Sequence, residues 1–422
     1  MIDTYYKRNV IGISGAELFW GLGLPIVWES TFLQLFLKSL GATSFQVGLI
    51  PAFAFLGNSV FALLSSYYTQ GLVFKRPAVI YLHLISGLSL VLFGAVLLFL
   101  GEQAPILIIF FVAYAIFSIC VGMTIPVWLN YIVNIFTEKK AYSGMGFMLL
   151  TQNLAKLSSS LLIVKIVEIY AFSHTSSAVI FLAVGIFFCI GGFFFLLTRE
   201  IPRTPKLSQQ GGGSFRHYVQ TTGVHIFHNR NFLWFLAGDM DFYVIVTVIS
   251  FYANYATAFC GIESSIAAGY FVSFLYLGAI MTNFVLGSLD MFAPRDKYYI
   301  SKTASMTALA LLTIFGSQWS FFLASALLGV ARGSRMVVYP PAIKKLSGQI
   351  DVTGYFAVAP ILITPFALAL PMTFGSFLDH FSYLNGNAYR IIFLFSAGLI
   401  LGSMFCIRRV DFQKSQTQAA RP

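Results

Sequence analysis

Residues 199–230 read REIPRTPKLSQQGGGSFRHYVQTTGVHIFHNR, a 32-residue polar stretch between two long apolar halves. It is too short to fold as a catalytic domain, since domains run to about 50–250 residues. Working outward, apolar runs bounded by charged or Gly/Pro-containing breaks give six candidate spans on each side. Those before it are 10–37, 45–69, 78–101, 106–134, 144–168 and 176–198. Those after it are 231–258, 265–290, 299–316, 319–339, 353–378 and 388–407. The 422 residues are 58% apolar and 10% charged, with a mean hydropathy of +0.81. Soluble domains carry about 25% charged residues, so this chain is dissolved in lipid. The predicted fold is an all-α integral membrane protein with twelve transmembrane helices in two pseudo-symmetric six-helix bundles. Residues 1–198 and 231–422 form the bundles, and 199–230 is a linker with a short interfacial helix.

The net charge of +11 would suggest nucleic acid in a soluble protein. Here it follows the positive-inside rule. Alternate breaks, from Lys7/Arg8 through 199–230 to the C-terminal Arg408–Arg421 run, hold 20 of the 26 basic residues. The opposite breaks hold three, Lys38, Lys165 and Arg390. This asymmetry places both termini and the linker in the cytoplasm, with a plasma (inner) membrane location expected. The run Val10–Leu37 is longer than a signal-peptide core and is read as a retained first helix. Cys120, Cys189, Cys260 and Cys406 lie in four separate apolar segments without CxxC spacing, which favours small core residues over disulfides or metal. His217, His225 and His228 in the linker read as solvated interfacial groups. Gly211–Gly213 run into Ser214-Phe215, not Lys-Ser/Thr, so no phosphate-cradling loop is present. No catalytic residues, cofactor or metal are expected.

An internal repeat is legible in the two halves. A shift of 222 lays Arg8-Asn9 on Arg230-Asn231 and Glu17 on Asp239. A shift of 221 lays Leu56-Gly57 on Leu277-Gly278, and one of 207 lays Gly122 on Gly329. Leu40-Gly41-Ala42 with Gly48-Leu49-Ile50 marks the break before the second span. Gly354-Tyr355-Phe356 and Phe374-Gly375-Ser376-Phe377-Leu378-Asp379 bracket the eleventh. With six-plus-six architecture and a basic central loop, these stretches resemble the major facilitator superfamily of secondary transporters. The loop after the second span in that family keeps a Gly-x-Leu-x-Asp signature. Here Ser65–Gln70 retains only the following Lys75-Arg76, and Gly287-Ser288-Leu289-Asp290 carries its Asp one residue early.

The ionisable residues singled out inside spans are Glu17, Glu29, Lys156, Asp239, Asp241, Arg332 and Arg335. Each costs about 2.5 kcal/mol or more at mid-bilayer unless paired or hydrated. Glu17, Asp239 and Arg332 fall roughly 10–14 Å from the basic ends of spans 1, 7 and 10, and Lys156 about 18 Å along span 5. Glu29 lies near the far end of span 1. Asp239, Tyr243, Ser250 and Asn254 share one helical stripe, with Asp241 about 200° away from Asp239. Asp241 therefore pairs locally or reaches the interface. Gln152, Lys156, Ser159 and Ser160 form a second stripe. Arg332 and Arg335 share a face, and either one pairs inside or snorkels to the surface. Trp20 and Trp28 share a face with Glu17, where they stack on a substrate ring or pack helices.

The resemblance implies that spans 1, 4, 7 and 10 line a central cavity, with 2, 5, 8 and 11 contributing. On that footing Glu17 and Asp239 are expected as proton-linked or gating carboxylates. Lys156, Arg332 and Arg335 are expected as substrate contacts or counter-charges, with Trp20, Trp28, Gln152 and Tyr243 lining. Asp239 is expected to form a buried or semi-buried pair with Arg332 across the cavity in at least one transport state. The predicted function is secondary transport of a small-molecule solute by alternating access, by a monomer in the lipid bilayer. The alternative is a transporter-fold sensor or assembly partner. A lipid-modifying enzyme would need a paired His/Asp or carboxylate motif in a cytoplasmic loop, which the sequence lacks.

Overall fold

The computed structural model describes residues 5–28, 31–69, 72–101, 105–136, 138–200, 215, 223–224, 226–288, 292–347 and 353–412. Glu29, His217, His225 and nearly all of the expected interfacial helix lie outside them. Of the linker histidines, His228 is described, and its Nδ1 meets the Val224 carbonyl at 2.8 Å. No metal-binding cluster occurs among the described residues.

The chain forms two compact units. One comprises Met1–Thr43 with Leu49–Gly212, the other Ser44–Gly48 with Gly213–Pro422. The first unit carries α1 (Tyr6–Val27), most of α2 (Ser44–Thr69), α3 (Arg76–Phe99), α4 (Ile106–Ile135), α5 (Glu138–Tyr170) and α6 (His174–Leu197). The second carries α7 (Arg230–Phe259), α8 (Ser264–Leu286), α9 (Pro294–Ile314), α10 (Gln318–Ser347), α11 (Thr353–His380) and α12 (Gly386–Arg409). Among the described residues, eleven of these twelve are long and apolar enough to cross a bilayer. The twelfth, α9, falls short because Arg295, Asp296, Lys297 and Lys302 occupy its first turns.

Two expected spans are not continuous helices. The run 10–37 ends as α1 at Val27 and resumes as a separate short helix, Thr31–Ser39. The run 231–258 is interrupted at the single residue Met240, whose backbone stays in the right-handed helical region, which divides α7 into two segments, Arg230–Asp239 and Asp241–Phe259. Apolar periodicity cannot register such breaks, because both segments remain hydrophobic.

Helix α3 shows why these sequences suit lipid. Tyr81, Ile85, Leu88 and Leu92 form an outward stripe at i, i+4, i+7, i+11 and are 44–66% exposed on the protein surface. Its inward face is Val79, His83, Ser86, Gly87, Leu90, Phe93 and Gly94. Large apolar groups face out, and the glycines and small polar groups among the inward side chains let helices pack closely within a bilayer.

The repeat seen in the sequence is matched contact by contact. In the first unit the Asn9 amide donates to the Ile135 carbonyl at 2.9 Å, and Asn9 Oδ1 accepts from Arg199 N–H at 2.7 Å. In the second, Asn231 exchanges both bonds with the Asp411 backbone at 2.8 Å, while Asn229 donates to the Leu346 carbonyl at 2.9 Å. Arg76 at the start of α3 donates to the Thr198 carbonyl at 2.9 Å, and Arg295 at the start of α9 donates to the Val410 carbonyl at 2.6 Å. Each unit thus ties its last helix back to its first and third through the same residue types.

The Leu56-Gly57 and Gly122 landmarks have a steric cause. A Cβ on Gly122 would lie 2.0 Å from the Gly57 carbonyl oxygen. One on Gly278 would lie 2.0 Å from that of Ala326, and one on Gly329 would lie 1.9 Å from that of Leu275. The α2–α4 and α8–α10 crossings are backbone-to-backbone, which only glycine permits. Both α2 and α8 also widen into π-helical turns, at Gly57–Phe61 and Asn283–Ser288.

At the start of α3, the Glu200 carboxylate accepts the backbone N–H groups of Lys75 and Arg76 at 2.9–3.0 Å. An anion there complements the helix dipole. Burial pushes the Lys75 ammonium below its ordinary value, with Glu200 pulling the other way.

Candidate functional site

Each unit buries one polar cluster among apolar helices. In the first, Glu17 sits inside on α1 and accepts a hydrogen bond from the Gln152 amide on α5. The contact is possible because α1 and α5 touch at Gly21, where a Cβ would lie 2.6 Å from the Gln152 carbonyl oxygen. One turn on, Ser159 Oγ donates to the Leu22 carbonyl at 2.5 Å. Lys156, half-buried, lies within electrostatic reach of Glu17, and the Trp128 side chain adjoins it. Of the polar stripe Gln152, Lys156, Ser159 and Ser160 read on span 5, Gln152 and Ser159 bond to α1, while Ser160 Oγ donates to the Leu157 carbonyl within α5 at 2.8 Å.

Trp20 does not open onto free space. Its ring stacks on Phe188 at 4.2 Å and meets the His83 ring edge-on at 4.6 Å, both inside the first unit. Trp28 is half-buried and meets Phe117 edge-on at 6.5 Å. Both contacts are those of helix packing.

The second cluster is built around the break in α7. Asp239, the last residue of the first segment, receives Arg335 of α10 through Nε at 2.9 and 3.0 Å and through Nη2 at 2.7 Å. A carboxylate held by two guanidinium nitrogens is the strong, directional form of this pair. Arg335 is further sandwiched by Phe242 and Tyr339, whose ring centres lie 3.9 and 4.1 Å from its guanidinium carbon. Tyr243, beside Phe242, is buried as well.

The partner of Asp239 is thus Arg335 and not Arg332, which corrects the sequence expectation. Depth along span 10 could not separate two arginines only one turn apart. Facing decides it, because Arg335 is the one pointing at the end of the broken helix. Nor does Arg335 snorkel: its side chain is 14% exposed. Arg332 is half-buried and has interactions of its own.

Asp241 begins the second segment of α7. Its carboxylate meets the Lys302 ammonium of α9 at 2.8 Å, with side-chain exposures of 6% and 0%. Lys302 also donates to the Gly238 carbonyl at 2.6 Å and to Ser403 Oγ of α12 at 3.0 Å. The Gly238 carbonyl lies in the last turn of the first segment, where carbonyls lack intrahelical partners. Asp241 therefore pairs neither locally nor at the interface but across to another helix. Lys302 leaves the loop set, which lowers the basic count on that side to 19. Its proximity to Arg295 and Lys297 hid it, although Ser301, Ala304 and Ser305 around it are buried. A Gly-Asp-x-Asp run in an otherwise apolar span was the available signal of the break.

Between the two ion pairs lies a cavity of about 10 Å³, lined by Asp239, Asp241, Tyr298, Ser301 and Arg335 among others. That is room for about one water. The Tyr298 hydroxyl is buried there without a hydrogen-bond partner. Two carboxylates and two cations make the cluster neutral overall.

The family model described as the Major Facilitator Superfamily matches residues 26–301. The chain belongs to this superfamily. Among solved structures, a variant of the nucleoside transporter NupG superposes with a TM-score of 0.73 at 12% identity, covering 97% of this chain and 100% of that one. A POT family transporter in complex with 5-aminolevulinic acid gives 0.68 at 13%, covering 96% of each. A variant of the E. coli fucose:proton symporter FucP gives 0.61 at 14%, covering 95% and 99%. At these identities the likeness is one of fold. Among curated proteins no sequence match is found. The chain is a multi-pass membrane protein of a transporter family.

Proposed function

We propose that the protein is a secondary transporter that moves a small solute by alternating access of its two six-helix units, coupled to a proton or another ion. The observation that carries this reading is one buried carboxylate cluster in each unit, Glu17 with Gln152 and Asp239 with Arg335. Ionisable groups kept inside apolar helices are expensive and ordinarily lie on solute or proton paths. In this reading Glu17 and Asp239 carry the coupling, with Lys156, Arg332 and Arg335 as counter-charges or substrate contacts. Both termini and the 199–230 segment lie in the cytoplasm, on the strength of the basic asymmetry. A small polar solute is favoured by the nucleoside, 5-aminolevulinic acid and fucose that go with these three structural neighbours.

The test is a thermal-shift screen of the purified protein against metabolites, followed by flux of any stabilising compound into proteoliposomes. Flux is expected to follow an imposed ion gradient or trapped counter-solute. Stabilising compounds that never cross the membrane under either condition would refute the proposal in favour of a sensor.

A further inference from the structure

The second unit also carries a surface cavity of about 300 Å³, open to its surroundings and with Arg390 exposed at its rim. It lies at the far end of α7 from Asp239, roughly 24 Å along the helix at 1.5 Å per residue. Tyr255, Phe259 and Cys260 form one wall, Leu384 adds an apolar contact, and Asn387 and Arg390 from the first turns of α12 form the other wall. This volume is at the lower end of small-molecule sites.

The chemistry is sorted by position. Arg390 is held by Nε donating to the Tyr255 hydroxyl at 3.1 Å and Nη1 donating to Asn387 Oδ1 at 3.4 Å. The Tyr255 ring is itself fixed, buried and stacked on Tyr389 at 5.5 Å. A guanidinium has five N–H donors in a fork that fits a carboxylate, so these two bonds orient it and leave donors over. No carboxylate among the described residues pairs with Arg390, whose hydrogen-bond partners are Tyr255 and Asn387. Lys165, another cation on the side where basic residues are scarce, is by contrast paired with Glu168 at 2.7 Å. Arg390 lies one turn into α12, near the positive end of that helix. Opposite it, Phe259 shows 44% of its surface and offers an apolar face.

We propose that this cavity binds a small organic anion, its carboxylate on Arg390 and its apolar body against Phe259. A neutral compound of the same shape would lack the charge-assisted bond, and a cation would meet like charge. The site is distinct from the Asp239 cluster, and its occupancy does not depend on whether the protein transports the anion.

Cys260 supplies the readout. In the full chain with Cys120, Cys189 and Cys406 replaced by alanine, the rate of maleimide labelling at Cys260 is measured at mildly alkaline pH. That condition is needed because burial pushes the Cys260 thiol up. Benzoate is expected to slow labelling in a saturable way, while benzamide and benzylamine at equal concentration leave it unchanged. Arg390→Gln should weaken benzoate protection about tenfold, the loss of a charge-assisted hydrogen bond, and Arg390→Lys should weaken it less. No protection by benzoate would overturn the proposal. So would equal protection by benzamide, or full protection retained in Arg390→Gln. If Arg390→Gln fails to fold, the three-probe comparison on the parent protein still decides.

Discussion

Asp241 and Lys302 meet at 2.8 Å inside the protein, and the same ammonium reaches back to the Gly238 carbonyl on the other side of the α7 break. One cation from α9 thereby bridges both segments of a broken helix. The break separates two carboxylates with different partners, Asp239 on Arg335 and Asp241 on Lys302.

Lys302→Met is expected to destabilise the protein by about 3–5 kcal/mol, the usual result of leaving one buried charge unpaired. It also strips the Gly238 carbonyl of its donor. Asp241→Asn in the same chain should recover part of the loss. Thermal unfolding in detergent measures both, and a Lys302→Met protein as stable as the parent would show that the pair carries no structural weight.

For Asp239 and Arg335 a double-mutant cycle is the appropriate measurement. Asp239→Asn and Arg335→Gln should each lower stability, and the double variant should be more stable than the sum of the two losses predicts. The same cycle with Arg332→Gln should be additive to within about 0.5 kcal/mol. Coupling to Arg332 as strong as to Arg335 would contradict the assignment of the pair.

Gly122→Ala and Gly329→Ala are expected to be among the worst glycine changes, each driving a methyl into a carbonyl of the neighbouring helix. Overpacking of this kind costs about 1–3 kcal/mol. Gly398 and Gly402 on α12 have nothing within 4 Å of an added Cβ. Alanine there should be neutral or stabilising by up to about 1 kcal/mol. Melting temperatures of the four variants would check the contrast.

Topology is tested by single cysteines at Ser208 and Asn385 in a background without native cysteines. A membrane-impermeant reagent should reach them from opposite sides, Ser208 from the cytoplasm. Labelling of both from the outside would reverse the basic-residue argument.

Much of the fold could be read in the sequence because lipid simplifies the problem. Within a bilayer only helices and closed barrels satisfy their backbone, and apolar runs of about 20 residues fit helices alone, so runs and breaks mark helices and loops directly. The repeat was legible through Arg8-Asn9 and Arg230-Asn231 because those asparagines make matched backbone contacts. Gly57, Gly122, Gly278 and Gly329 were legible because backbone contact demands glycine. What escaped the sequence was interruption within apolar runs, after Val27 and at Met240, and the choice among neighbouring cations. Arg332 and Arg335 differ by less than a turn in depth, and only the geometry of α7 distinguishes them. Lys302 sits close to loop cations in sequence, yet the helix carries it inward to Asp241. Trp20 was ambiguous because an aromatic ring near a carboxylate serves packing and binding equally well, and Phe188 and His83 settle its contacts.

The central claim is that this chain carries a solute by alternating access, and counterflow tests it most directly. Proteoliposomes holding only the purified chain are loaded with an excess of an unlabelled stabilising solute, then diluted into a trace of the labelled solute without nucleotide. The account predicts a transient accumulation of label above its equilibrium level, which is reduced in Asp239→Asn. Equilibration without overshoot, or uptake only when ATP is supplied, would contradict it.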